Sequence, residues 1–283
     1  MHKTLITTED LAARLGASDL VVCDVRHDLA QPDAWGEAEY RRAHIPGALF
    51  VHLDRDLSGR KTGTNGRHPL PTPESAAGTF GRLGIDAHKQ VIVYDQGSGM
   101  YAARLWWMLK WLGHAAAALL DGGFAKWVSE GRPASTEAAV PRAAHFTISR
   151  VTPTVNATGV AASLARRSLT LIDARVPERF RGEIEPLDPI AGHIPGARNR
   201  PYANNLQPDG TFKPPLALRE EFMTLLAGTP ASDVVHQCGS GVTACHNLLA
   251  MEVAGLPPTR LYPGSWSEWC ADPARPMARK SVP

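Results

Sequence analysis

Cysteine is scarce in this chain. Its 283 residues include four, at positions 23, 238, 245 and 270, and no two of them form a C-x-x-C pair. That spacing argues against a zinc ribbon, a dithiol redox motif or a disulfide scaffold, and it offers no metal site. Net charge is nearly absent as well: 30 basic side chains stand against 28 acidic ones, a formal balance of +2. No global field exists to draw in nucleic acid or an anionic membrane, so neither is expected as a partner and any anion site must be local. Long apolar runs are missing too. The most apolar helical stretch, from Leu105 to Leu120, is interrupted by Lys110, Gly113 and His114, and it is shorter than the roughly 20 residues needed to span a bilayer. The first ten residues turn acidic at Glu9 and Asp10 before an apolar run of signal-peptide length can form, which leads us to expect a cytoplasmic protein.

What the chain does contain is ordinary globular composition, 43% hydrophobic and 20% charged, over a length that fits about two domains. It also repeats itself once. Val22-Cys23-Asp24-Val25-Arg26 is echoed by Leu171-Ile172-Asp173-Ala174-Arg175, and His44-Ile45-Pro46-Gly47-Ala48 by His193-Ile194-Pro195-Gly196-Ala197, both 149 residues on. Val91 to Asp95 aligns with Val234 to Cys238 at an offset of 143, and Gly122 to Trp127 with Gly264 to Trp269 at 142. Four segments in the same order with a drifting offset indicate a duplicated domain rather than a short-period solenoid. We expect domains over 1–140 and 153–283, joined by a linker over 141–152 in which hydrophobic periodicity lapses.

Within each half, short β-branched runs alternate with helical stretches, the pattern of an α/β fold with a mainly parallel sheet covered by helices on both faces. Val91 to Tyr94 and Val234 to His236 read as buried strands, each followed by a tight loop and an apolar helix. Ligands of open α/β sheets sit at the carboxyl ends of strands. Of the two loops, the second, Cys238-Gly239-Ser240-Gly241-Val242-Thr243, holds a nucleophile; the first begins with Asp95. A cysteine between a strand end and a helix start lies among backbone N–H groups and the positive end of the helix, which favour the thiolate. Gly239 and Gly241 permit positive φ and close approach to an anion.

These residues resemble the tandem-domain rhodanese-like sulfurtransferases, and among them the 3-mercaptopyruvate type, whose active loop reads C-G-[ST]-G-V-T. Both H-I-P-G-A turns, the segment Asp121 to Trp127 and the segment Gly264 to Trp269 fit the same pattern, so the resemblance covers nearly the whole chain. It implies two rhodanese-like domains and a two-step transfer: Cys238 takes sulfur from a small-molecule donor, becomes a persulfide, and passes the sulfur to a thiol acceptor such as thioredoxin, or to cyanide, with no metal or organic cofactor. Asp95 in place of a cysteine makes the first domain catalytically silent. The loop residues Gly239, Ser240, Gly241, Val242 and Thr243 would bind the donor, and Arg179 matches a substrate-binding arginine of the mercaptopyruvate type. A second family arginine would stand at position 187, where this chain has Leu187. The resemblance also implies a histidine and an aspartate acting with Ser240, and His44 and Asp33 fit those places.

Alternatives follow from the same residues. Thiosulfate is the competing donor, although thiosulfate-type members carry basic residues inside the loop and this loop has none. A cysteine phosphatase needs an arginine six positions after the nucleophile to clamp phosphate, and Ala244 stands there. A non-catalytic scaffold would not require Cys238 with its glycines and hydroxyls. Asp24 and Asp173 read as loop-fixing carboxylates, Cys245 as core packing, and Trp266 and Trp269 as either core or the floor of the site.

Overall fold

The computed structural model describes residues 1–166 and 168–279; the last positions of the expected second domain lie outside these. The described residues divide into two compact units. The first comprises 1–59, 71–152 and 208–212, and the second 60–70, 153–166, 168–207 and 213–279. The stretch expected as linker thus packs with the first unit, and a short segment around Arg67 packs with the second.

In the first unit, strands β1 (Leu5–Ile6), β2 (Leu20–Asp24), β3 (Leu49–Phe50), β4 (Gln90–Tyr94) and β5 (Ala117–Leu120) form a sheet in the order β1-β5-β4-β2-β3. Its pairings are all parallel. Strand β4 is buried at all five positions, as a strand covered on both faces must be, and this is why its sequence after Gln90 is continuously apolar rather than alternating. Val22, Ile92 and Leu120 pack with Phe124 and Trp127 on one side of the sheet.

The second unit repeats the plan with β6 (Thr170–Asp173), β7 (Arg198–Asn199), β8 (Val234–Gln237) and β9 (Arg260–Leu261), in the order β7-β6-β8-β9 and again parallel. Leu171, Val235, Tyr262, Trp266 and Trp269 share one core cluster. Trp266 and Trp269 are fully buried, and their ring N–H groups donate to Ile190 O and Pro276 O, so both belong to the core. The helix Ala102–Trp111 follows β4, and Thr243–Val253 follows β8.

The duplication extends to single hydrogen bonds. Asp24 accepts from the Arg26 backbone and guanidinium, and Asp173 from those of Arg175. These buried pairs fix the bend after each central strand, the structural role expected of both carboxylates. Each arginine then reaches a carbonyl, Ala43 O or Gly192 O. The two H-I-P-G-A turns are equally alike. His44 Nδ1 meets Tyr40 O at 2.7 Å with its ring stacked on Tyr40, and His193 Nδ1 meets Phe180 O at 2.7 Å with its ring stacked on Phe180. Glycines 47 and 196 close these turns at φ 77° and 79°, where a side chain would be strained.

Candidate active site

Strand β8 delivers Cys238 to the start of its loop, and the residue is only 2% exposed. Gly241 has φ 76°, and a Cβ there would lie 2.3 Å from Pro263 O, so only glycine fits. The resulting bend aims the Gly241 amide at Cys238 Sγ, 3.1 Å away. Gly239 serves otherwise: its φ is ordinary, and the space its missing side chain leaves is bordered by guanidinium groups. The helix Thr243–Val253 has Val242 at its N-cap and so no side-chain cap there, although Cys245 N donates back to Val242 O.

The loop is locked from behind. Trp266 N donates to Cys238 O and Ser267 N to Gly239 O, at 3.0 and 2.9 Å. Cys238 N donates to Ser265 Oγ at 3.1 Å, and that hydroxyl donates onward to Tyr262 O. Ser265 holds φ at 54°, a left-handed conformation that is costly for a residue with a side chain. Cys245 Sγ donates to Gly241 O at 3.3 Å, so its thiol is engaged in holding the loop and core packing accounts for it.

Four amides converge in the first unit on Asp95. Gly97 N and Gly99 N donate to Oδ1 at 3.0 and 2.9 Å, and Tyr101 N and Ala102 N to Oδ2 at 2.9 and 3.2 Å. Burial raises the Asp95 pKa and the four hydrogen bonds pull it back in part. The expectation of several amides on the cysteine sulfur is therefore corrected: among the described residues Sγ accepts one backbone amide, and it is the carboxylate of the sister loop that fills the cradle. The reason is reach. Asp95 oxygens stand two bonds beyond Cβ, while Sγ stands one.

The histidine on Ser240 also differs from expectation. His68 Nδ1 lies 2.7 Å from Ser240 Oγ, both residues being buried. His44, assigned that place from the sequence, has its ring nitrogens on Tyr40 O and Glu137 O and serves the turn, as His193 does in the second unit. Asp33 is exposed and makes no contact that would orient a histidine among the described residues. The signal for His68 was slight: an Arg-His pair in a glycine-rich stretch that no hydrophobic period claims.

Arg179 lies beside the loop, in the short helix Pro177–Arg181. Its Nε and Nη2 donate to Glu185 and its Nη2 also to Asp188. Around it runs a chain of alternating charges: Asp173, Arg175, Glu185, Arg179, Asp188 and Arg67, each paired with the next. Three carboxylates and three guanidiniums balance, which makes burial of the cluster tolerable. Burial opposes the Arg175 charge, but Asp173, Glu185 and the sulfur of Cys238 outweigh it and raise its pKa. Burial likewise pushes Asp188 up against the pull of Arg67 and Arg179. Leu187 contributes only its backbone N–H, to Glu185, and its side chain is 40% exposed. Ala244, where a phosphatase arginine would stand, is buried and apolar.

Comparison with known proteins agrees with this geometry. The rhodanese-like domain family model matches twice, over residues 7–130 and 156–272. A Pseudomonas aeruginosa protein named "Probable 3-mercaptopyruvate sulfurtransferase" is 47% identical over 277 residues, covering 97% of each chain. The thiosulfate sulfurtransferase of Cricetulus griseus is 36% identical over 241 residues, covering 82% of this chain and 78% of its own. The crystal structure of the 3-mercaptopyruvate sulfotransferase SseA from Escherichia coli superposes with a TM-score of 0.80 at 32% identity, over 94% of this chain and all of that one. With two matched domains, each carrying a parallel sheet and a strand-loop-helix on the same plan, the chain belongs to the rhodanese-like family.

Proposed function

We propose that the chain is a sulfurtransferase that takes sulfur from 3-mercaptopyruvate onto Cys238 and hands it to a thiol or to cyanide. The observation that supports this most directly is the contrast between the two loops. A persulfide on Cys238 has its outer sulfur two bonds beyond Cβ, the reach at which Asp95 collects its four amides in the sister loop. The second loop is thus suited to a cysteine carrying one more atom, whose charge the amides and the helix start would stabilise.

In the first half-reaction the Cys238 thiolate attacks the sulfur of the donor. An S–S bond forms, the donor C–S bond breaks, and its electron pair passes to carbon as the enolate of pyruvate. The proton lost by the cysteine thiol ends on the pyruvate methyl. Ser240, bonded to His68, is the group set to carry it. In the second half-reaction an acceptor thiolate, or cyanide, attacks the outer sulfur and restores Cys238. The loop residues Gly239, Gly241, Val242 and Thr243 hold the sulfur by their backbone, and Arg179 meets the donor carboxylate. The first domain, with Asp95 in the cradle, is proposed to be catalytically silent. A protein thiol such as thioredoxin in the cytoplasm is the proposed acceptor.

Steady-state turnover of 3-mercaptopyruvate and of thiosulfate, run side by side with one thiol acceptor, tests the donor. We expect 3-mercaptopyruvate to give the higher kcat/KM, with both activities absent in Cys238→Ser. A clear preference for thiosulfate would overturn the donor assignment, and activity retained by the serine variant would overturn the chemistry.

A further inference from the structure

At the carboxyl ends of β4 and β8 the two units differ in one side chain, and the difference strands several buried polar groups. In the first unit Tyr94 stands immediately before Asp95 and lies in register with Asp24 of β2. Its hydroxyl donates to Asp24 Oδ2 at 2.8 Å and accepts from Ile45 N at 3.2 Å. One phenol oxygen thus ties the D-x-R bend to the H-I-P-G-A turn. In the second unit the residue before Cys238 is Gln237, in register with Asp173 of β6. The surroundings repeat: the Asp173–Arg175 pair, the turn at His193, and a fully buried Ile194 at the position of Ile45.

A glutamine side chain ends nearer to the backbone than a tyrosine hydroxyl does, and the bonds that Tyr94 makes are not replaced. Gln237 is 0% exposed, and neither its Oε1 nor its Nε2 has a hydrogen-bond partner among the described residues. The Asp173 carboxylate accepts from Arg175 alone, so the lone pair that takes the phenol in Asp24 stays available. Ile194 N likewise finds no acceptor among the described residues. Buried amide groups are costly to leave unpaired, and native folds pair them with protein or with water. An internal water makes about three hydrogen bonds, and these groups offer that set: acceptors on Asp173 and Gln237 for its hydrogens, and the N–H of Ile194 for its oxygen. An ion fits less well, because Arg175 already neutralises Asp173 and donors and acceptors meet at one place.

We propose that the second unit binds one internal water molecule at the carboxyl end of β8, its oxygen at the place that the Tyr94 hydroxyl takes in the first unit, held by Gln237, Asp173 and Ile194 N. The bend and the turn are then joined through water to the residue that directly precedes the nucleophile. The first unit makes the same junction with an oxygen fixed covalently to its own strand.

Two measurements on the full-length protein test this: a crystal structure at a resolution that orders internal waters, and thermal unfolding of the wild type, Gln237→Leu and Gln237→Tyr. We expect one water within hydrogen-bond distance of all three groups in the wild type. In Gln237→Tyr the phenol oxygen should displace it and make the two bonds of Tyr94. Leucine is close to glutamine in size and has no polar atom, so the sign of its effect discriminates. With the water in place, Gln237→Leu removes one of its partners, and the melting temperature should fall by about 2–4 °C. An amide truly without a partner would instead make the leucine variant more stable, and a rise in its melting temperature would overturn the proposal. So would a wild-type structure in which the Gln237 amide bonds directly to protein with no water at the site, or one in which an ion sits there. The wild-type structure decides the matter even if either variant fails to fold.

Discussion

The loops after β4 and β8 descend from one plan and differ in what fills them. In the first, Asp95 draws four amides onto its carboxylate. In the second, Cys238 Sγ engages one among the described residues. The backs of the loops match: Phe124 and Ala125 donate to the carbonyls of Asp95 and Gln96 just as Trp266 and Ser267 donate to those of Cys238 and Gly239. The comparison teaches that the cradle is a property of the repeated backbone, and that activity depends on what is added to it. The additions lie at one end of one unit: a nucleophile one bond short of the amides, a hydroxyl on a histidine, and two arginines.

If the cradle alone were sufficient, moving the nucleophile should move the activity. The double variant Asp95→Cys with Cys238→Ser is the sharpest way to break the comparison. We expect no measurable turnover of 3-mercaptopyruvate from it, because the pair formed by Arg67 and Arg179 belongs to the other unit; recovered activity would mean that the amides suffice. A smaller effect is expected at the position where the two units differ behind the loop. Gly123 sits at φ 59° and Ser265 at φ 54°, so the second unit accepts left-handed backbone strain in order to place a hydroxyl on Cys238 N. Ser265→Gly relieves that strain and removes the hydrogen bond. Stability should hold or rise, while kcat falls by about 3- to 10-fold with KM little changed; an unchanged kcat would show that the hydroxyl does not aim the cysteine.

The smallest effect concerns the strands themselves. Val93 of β4 corresponds to His236 of β8, a fully buried histidine whose pKa burial lowers to about 3. In the unfolded chain the same imidazole takes up a proton near pH 6.5. Between these values the unfolded state binds more protons, so the stability present above about pH 6.5 is lost progressively as pH falls toward 3. His236→Val, which makes β8 resemble β4, should shrink the fall in the melting temperature of the second unit between about pH 7 and pH 5 by a few degrees. An unaltered pH profile would mean that other groups carry it.

Much of this was legible in the sequence because it is local. The paired D-x-R bends and H-I-P-G-A turns, the apolar run into Cys238 and the glycine at 241 are written in adjacent residues, and repetition made each a check on the other. His68 and Arg67 were not legible for the opposite reason. They lie in a polar stretch without period, and His68 meets Ser240 across 172 positions, a contact that no local pattern records. His44 misled because it sits in a motif, yet the same motif recurs at His193, and in both places the imidazole is spent on a backbone carbonyl. Leu187 marks a place without a guanidinium, and the position of the Arg67 guanidinium beside Gly239 is a fact of tertiary structure.

The central claim is that Cys238 receives a sulfur atom and the cradle holds it. The most direct measurement is peptide mass spectrometry of the protein after brief exposure to 3-mercaptopyruvate with no acceptor present. We expect the peptide containing Cys238 to become one sulfur atom heavier, the peptides containing Cys23, Cys245 and Cys270 to stay unchanged, and an added thiol or cyanide to remove the gain. Extra sulfur on the other cysteines instead, or turnover with Cys238 never modified, would contradict the claim.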